Sequence, residues 1–151
     1  MPSRRSAAGR DLDAHVEEGK LTLQRCISCG KVQYPPREVC GACLGGEFCR
    51  EALERGGTLL AAGDLHHSLE PGFAGELPWT LCSVQLDRGP VVLAQLAGGP
   101  PAAGGRVLVS HRRHPVGGWI LKAEPESEER ENCWRKTCGS VSDDAGKSPV
   151  P

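Results

Sequence analysis

The sequence predicts a mainly β chain: a short N-terminal helix, a ribbon stapled by four cysteines, a small five-stranded barrel, and a polar C-terminal tail. Three observations carry this. Two CxxC pairs separated by ten residues stand in "QRCISCGKVQYPPREVCGACLGG", residues 24–46. Five short runs of alternating apolar and polar residues follow, each punctuated by glycine or proline. The composition agrees, because 20 Gly and 12 Pro in 151 residues, with aromatics at only 4%, suit short strands and many turns rather than a large helical core.

Residues 1–19 read as an arm and a short helix. The first nine are small, basic and polar, and the helix is expected over 10–18, with Leu12 and Val16 four apart on one face and Gly19 placed to stop it. "KLTLQR" (20–25) alternates Leu21 and Leu23 with polar neighbours, as a half-buried strand does, and feeds directly into Cys26. Past the first CxxC, Gly30 suits the positive dihedral that closes a metal knuckle, and "KVQY" makes a second short strand. Pro35 and Pro36 then return an extended chain toward Cys40, bounding a ribbon at 20–50. Residues 51–124 hold the five strands, in "GGTLLAAGDLHHS", "WTLCSVQLD", "VVLAQLAG", "GRVLVSHRR" and "GGWILKAEP". Their spacing fits an oligonucleotide/oligosaccharide-binding (OB) barrel. In 125–151 the alternation gives way to charge, Ser and Pro, the signature of a tail that is flexible or helical only around 126–136.

Two cysteines three apart on a tight turn can aim both sulfurs at one ion, and a second such turn completes a tetrahedron. Cys26, Cys29, Cys40 and Cys43 are therefore expected to hold one structural Zn2+ per chain, with no open position for catalysis. Cys49 and Cys82 read as small packed apolar residues, and Cys133 and Cys138, in the tail, carry no assigned function. His66 and His67, as adjacent strand positions, face opposite ways and cannot line one pocket. Arg112 and Arg113 end a strand at the barrel rim, where guanidinium groups suit phosphates. No nucleophile elbow, phosphate loop, zinc-protease motif or dinucleotide fingerprint occurs, so no catalytic residue is assigned. A net charge of -1 and six aromatics weigh against the rival reading of a nucleic-acid-binding ribbon and barrel, which needs basic grooves interleaved with stacking rings. No apolar run approaches the ~20 residues of a membrane span and the N-terminus lacks a signal-peptide core, which places the chain in the cytoplasm, where paired cysteines are metal ligands.

The series CxxCG, YPPR and CxxC in one register, with "RGGTLLAAGDLHH", "PGFAGELPW" and "VQLDRGPVVLAQL" behind it, resembles a family of rubredoxin-like zinc-ribbon plus OB-fold proteins associated with acyl-CoA and long catalogued as a domain of unknown function. The resemblance covers residues 10–124. It implies an accessory subunit, not an enzyme on its own, that docks on a thiolase-fold partner and helps shape an acyl-CoA site where a carbon–carbon bond is made or broken. Degradative thiolysis or retro-aldol cleavage is favoured, with the catalytic residues in the partner. Carried onto this chain, it implies metal ligands Cys26, Cys29, Cys40 and Cys43, and it matches Tyr34 and Arg37 to the family's YPPR and Phe73 to its PGF segment; on physical grounds Tyr34, Phe73 and Trp79 suit contact with a partner, and Arg37, Arg112 and Arg113 suit the phosphates of CoA.

Overall fold

The computed structural model describes residues 5–98, 103–115 and 118–126. The expected tail, with Cys133, Trp134 and Cys138, lies outside the described residues. The first element, α1 (Ala7–Asp13), begins three residues earlier than the periodicity suggests. Its start is set by Ser6, whose hydroxyl accepts the Gly9 amide at 3.1 Å as an N-cap, so Ala7, Ala8 and Gly9, expected in the arm, belong to the helix. A tightened turn from the His15 amide to the Leu12 carbonyl ends it, leaving Val16 buried beyond the helix. Gly19, at φ +82, does not stop the helix; its amide donates to the His111 carbonyl.

The ribbon is a three-stranded antiparallel sheet in the order β2-β1-β3, built from β1 (Leu21–Cys26), β2 (Val32–Gln33) and β3 (Phe48–Leu53). The third strand escaped the sequence reading, because the apolar residues of "FCREAL" stand in two adjacent pairs on either side of Arg50 and Glu51 and do not alternate. On it Cys49 is exposed, correcting the expectation of a packed thiol: this edge strand turns that position to solvent. Cys82 is buried as expected, its thiol donating to the Ala94 carbonyl, and burial pushes its pKa up. β1 is buried at four consecutive positions rather than on alternate ones. As the central strand it sends Leu21 and Leu23 into the main core, while the Gln24 amide group donates to the Arg37 carbonyl and accepts the Arg37 amide on the other side.

The second half closes into a barrel of β4 (Gly56–Leu65), β5 (Trp79–Leu86), β6 (Val91–Leu96), β7 (Arg106–His114) and β8 (Gly118–Pro125), in the order β4-β5-β6-β8-β7. All five expected strands are present. The inward face is aliphatic, with Val84, Val92, Val107, Val109 and Ala123 fully buried. Gly57 is required where β4 crosses β5, since a Cβ there would stand 2.6 Å from Val84. At the foot of the barrel Arg106 grips the Asp87 carboxylate with two hydrogen bonds and reaches Glu126 at 3.2 Å.

Two features position the functional surfaces. The parallel β6–β8 seam pairs only at Gln95–Lys122 and Leu96–Ala123, and Leu21 and Leu23 from the ribbon join the same core cluster, with Tyr34 packed against it. Ribbon and barrel thus share one hydrophobic core. A register shift between Leu59 and Ala61 then interrupts β4, which pairs with β7 at Gly56–Thr58 and continues along β5 through Ala61–Leu65. β4 ends at Leu65, which places His66 and His67, both exposed, in the following loop and not on the strand where they were expected. No helix among the described residues is long and apolar enough to cross a membrane.

Candidate metal centre and adjoining surfaces

Each half of the metal centre is a tight turn, the first at the end of β1 and the second in the segment between β2 and β3. In the first, the Gly30 amide donates to the Cys26 carbonyl and Gly30 takes φ +75; in the second, the Leu44 amide donates to the Cys40 carbonyl and Leu44 takes φ +62. The four sulfurs of Cys26, Cys29, Cys40 and Cys43 all lie within 4.8 Å of one another, with Cys26–Cys43 at 3.5 Å and Cys29–Cys40 at 3.7 Å. A tetrahedron with metal–sulfur bonds of about 2.3 Å has edges of about 3.8 Å, so the cluster has the size and donor set of one zinc site.

Backbone amides prepare it for thiolates. The Ala42 amide points at the Cys40 sulfur and the Gly45 amide at the Cys43 sulfur, both at 3.4 Å. The Cys43 and Ala42 amides, stronger together than the opposing burial, bring the Cys40 thiol down to about 6. Cys26 is lowered in the same way, chiefly by the Cys29 amide. For Cys43 the Gly45 amide acts downward, but the neighbouring sulfurs and burial outweigh it and push the thiol up to about 12. Four clustered thiols cannot all ionise unaided, and a divalent cation supplies the missing charge.

Leu44 occupies the position that Gly30 fills in the first turn, and its side chain is 78% exposed. The left-handed conformation costs an L-residue roughly 1 kcal/mol, part of which glycine returns as chain entropy. Leu44→Gly is therefore expected to raise the stability of the zinc-loaded chain by about 0.5 kcal/mol. A lower urea midpoint in the variant would contradict this.

Around the shared core, a cleft of about 270 Å³ opens between helix, ribbon and barrel mouth, lined by Leu23, Tyr34, Trp79, Leu93, His111 and Trp119 among others. The helix is tied across it by Arg5, which pairs with Asp13 at 2.9 Å and donates to the Trp119 carbonyl. Tyr34 is half-buried, its hydroxyl donating to the Leu93 carbonyl at 3.3 Å, and burial raises its pKa.

His111 is the joint between the two halves. Its amide donates to the Lys20 carbonyl at 2.7 Å, and its ring nitrogen Nδ1 accepts the Thr22 amide at 3.4 Å, an arrangement that needs the neutral ring. Burial pushes its pKa below the ordinary value; the Lys20 carbonyl opposes this and Arg5 adds to it. Because the folded pKa is the lower one, the unfolded chain binds more protons just below the ordinary value. The stability that His111 contributes is therefore present above about pH 6.5 and lost as pH falls. His111→Gln is expected to flatten the denaturation midpoint between about pH 7 and 6 relative to the unaltered chain; equal slopes would rule out this ring as the source.

The other expected residues fall in three places. Arg37 sits on the ribbon, where its backbone brackets Gln24 and its guanidinium lies against Gly41 of the second knuckle. Arg112 pairs with Glu124 at 3.9 Å, whereas Arg113 lies over the Trp119 ring at 5.1 Å. As neighbours on β7 these two arginines face opposite ways, so they do not converge on one phosphate. Phe73 and Trp79 pack edge to face at 4.8 Å, and both touch the His114 ring. That histidine, the Glu76 beside it and the His111 joint were absent from the site residues read in the sequence, where only Arg112 and Arg113 of this strand end were singled out.

Comparison with known proteins bears on both halves. Residues 13–48 match the family described as ChsH2, rubredoxin-like zinc ribbon domain. A probable enoyl-CoA hydratase alpha subunit of Thermomonospora curvata is 31% identical over 88 residues, which make 57% of this chain and 26% of that protein. The match thus spans about a quarter of that relative's length. Among solved structures, a chain of the Ltp2-ChsH2(DUF35) aldolase is similar over 81% of this chain and 97% of its own, with a TM-score of 0.66 at 20% identity. A DUF35-family protein of unknown function from Sulfolobus solfataricus is similar over 80% of this chain and 87% of its own, with a TM-score of 0.51 at 12% identity. At these identities the likeness is one of fold.

Proposed function

We propose, for a chain whose residues 13–48 match the ChsH2 rubredoxin-like zinc-ribbon domain family, the role of a non-catalytic, zinc-stabilised accessory subunit in an acyl-CoA enzyme complex. It docks on a thiolase-fold partner in the cytoplasm and helps shape the site at which a carbon–carbon bond next to a CoA thioester is cleaved or formed. Degradative thiolysis or retro-aldol cleavage is the favoured direction. The observation that carries this reading is the closed centre: four sulfurs converge on one ion position, leaving no open coordination site. Its fold neighbour, moreover, comes from an aldolase assembly, and its curated relative is named as a subunit of an acyl-CoA enzyme.

Within the complex, the zinc holds the ribbon in shape, and the catalytic nucleophile comes from the partner. Tyr34, Phe73 and Trp79 are proposed to frame the contact. Arg37, Arg112 and Arg113 are proposed to meet CoA phosphates separately, given their different faces. In an Arg112→Ala, Arg113→Ala variant of the complex, a KM for acyl-CoA raised about tenfold is expected for loss of a charge-assisted contact. An unchanged KM removes both arginines from the site.

The reading is tested by native mass spectrometry after gentle purification of the tagged protein from its own host. One zinc per chain and a thiolase-sized companion are expected, with acyl-CoA turnover by the pair and none by the isolated chain. A zinc-loaded chain without companion, or one carrying nucleic acid, would overturn it.

A further inference from the structure

The geometry points to His114 as a positioning residue: with Glu76 it latches loop 66–78 to the barrel and so presets the Phe73–Trp79 face for a protein partner. This rests on the docking role proposed above and adds the device that holds the docking surface in shape.

His114 ends β7 at the barrel rim, opposite Gly118, where a polar ring would ordinarily be solvated. It is instead only 9% exposed. Its Nε2 lies 2.8 Å from a Glu76 carboxylate oxygen, across 38 positions of sequence. The same ring packs against Phe73 at 4.7 Å and Trp79 at 5.4 Å, and Phe73 meets Trp79 at 4.8 Å. Trp79 and His114 each belong to a paired strand, whereas Phe73 belongs to a single 3₁₀ turn, Pro71–Phe73. The rings of the framework thus hold the ring of the loop.

The hydrogen bonds inside the loop are local: Phe73 to Glu70, Ala74 to Pro71, Glu76 to Phe73, and the Glu70 amide to the Ser68 hydroxyl. Such short-range bonds shape a turn without fixing where it lies on the barrel. The described links that do fix it are the Glu76 carboxylate, which reaches His114, and the Phe73 ring, which packs on both His114 and Trp79. The loop also carries Leu69 outward at 97% exposure, between β4 and β5. A surface held in one arrangement before contact loses less conformational entropy on binding, which is what a latch at this position supplies.

The test is hydrogen exchange on the zinc-loaded full chain, comparing the unaltered protein with His114→Ala, Glu76→Ala and His114→Gln. Exchange at the amides of Phe73, Ala74 and Glu76 should accelerate about tenfold in both alanine variants, as expected when a partly buried hydrogen bond opens locally. The strands β5–β8 should keep their protection. His114→Gln, whose side-chain amide can still donate to Glu76, should restore most of the loop's protection. Loop exchange that stays unchanged in both alanine variants overturns the latch, as does acceleration spread evenly through the barrel. A glutamine variant as loose as the alanine one overturns the hydrogen-bond assignment. Should His114→Ala not fold, Glu76→Ala decides, since that side chain is 46% exposed. Capture of the companion protein is then compared for the same variants: a chain that captures none even when unaltered ends the docking role, while exchange still decides the latch.

Discussion

Stripping the metal, or replacing Cys40 with serine, is expected to unfold the ribbon and bring down much of the barrel's stability with it. Structural zinc sites contribute roughly 10–16 kcal/mol of apparent binding free energy in zinc-finger peptides at neutral pH, and that binding energy is folding energy. Without the ion, four sulfurs within 4.8 Å of one another are left with opposed pKa shifts and no shared charge partner. The loss spreads because Leu21 and Leu23 lie on the strand that ends in Cys26. Zinc content by elemental analysis and exchange at the Cys26, Gly30 and Leu44 amides measure the outcome. Ribbon amides that stay protected in a verified metal-free chain would show that the ion does not hold this fold.

The second large effect is expected from Leu23→Ala. Leu23 is 1% exposed and sits where the short β6–β8 seam meets the ribbon. Truncating a buried leucine costs about 2–5 kcal/mol, depending on how far the surroundings relax. Here β1 is pinned on both sides, by Thr22 to His111 and by Gln24 to Arg37, so little collapse is available and the upper half of that range is expected. Leu93→Ala serves as the control: its side chain is 58% exposed, and a shift within about 0.5 kcal/mol is expected. Equal, small effects at both positions in chemical denaturation of zinc-loaded protein would mean that ribbon and barrel do not share a core.

The two knuckles were legible because each is a local event. The CxxC spacing aims two sulfurs at one point, and Gly30 takes the positive φ expected of it. The five barrel strands were legible for a similar reason, their two-residue period being visible within each run. β3 was missed because a strand with burial only at scattered positions leaves no such period, and the helix was displaced because a single capping hydroxyl, at Ser6, outweighed the Leu12–Val16 spacing. Cys49 was misplaced inward for want of that strand, and the two histidines at 66 and 67 were placed on a strand that ends one residue before them.

Of the candidate site, residue identities came from the linear order and relations among them did not. Spacing alone picks out Cys26, Cys29, Cys40 and Cys43 as one cluster, since four ligands on two short turns need only a hairpin to meet. Turn residues and alternation likewise determine that a ribbon precedes a small barrel. That Leu21 and Leu23 of β1 join the barrel's core, that His111 accepts a hydrogen bond from Thr22 and that Glu76 reaches His114 are decided by tertiary structure. The physical reason is range: periodicity and turn chemistry act over a few residues, whereas these contacts join positions 38 to 89 residues apart, and only closure of the barrel around a shared core brings them together.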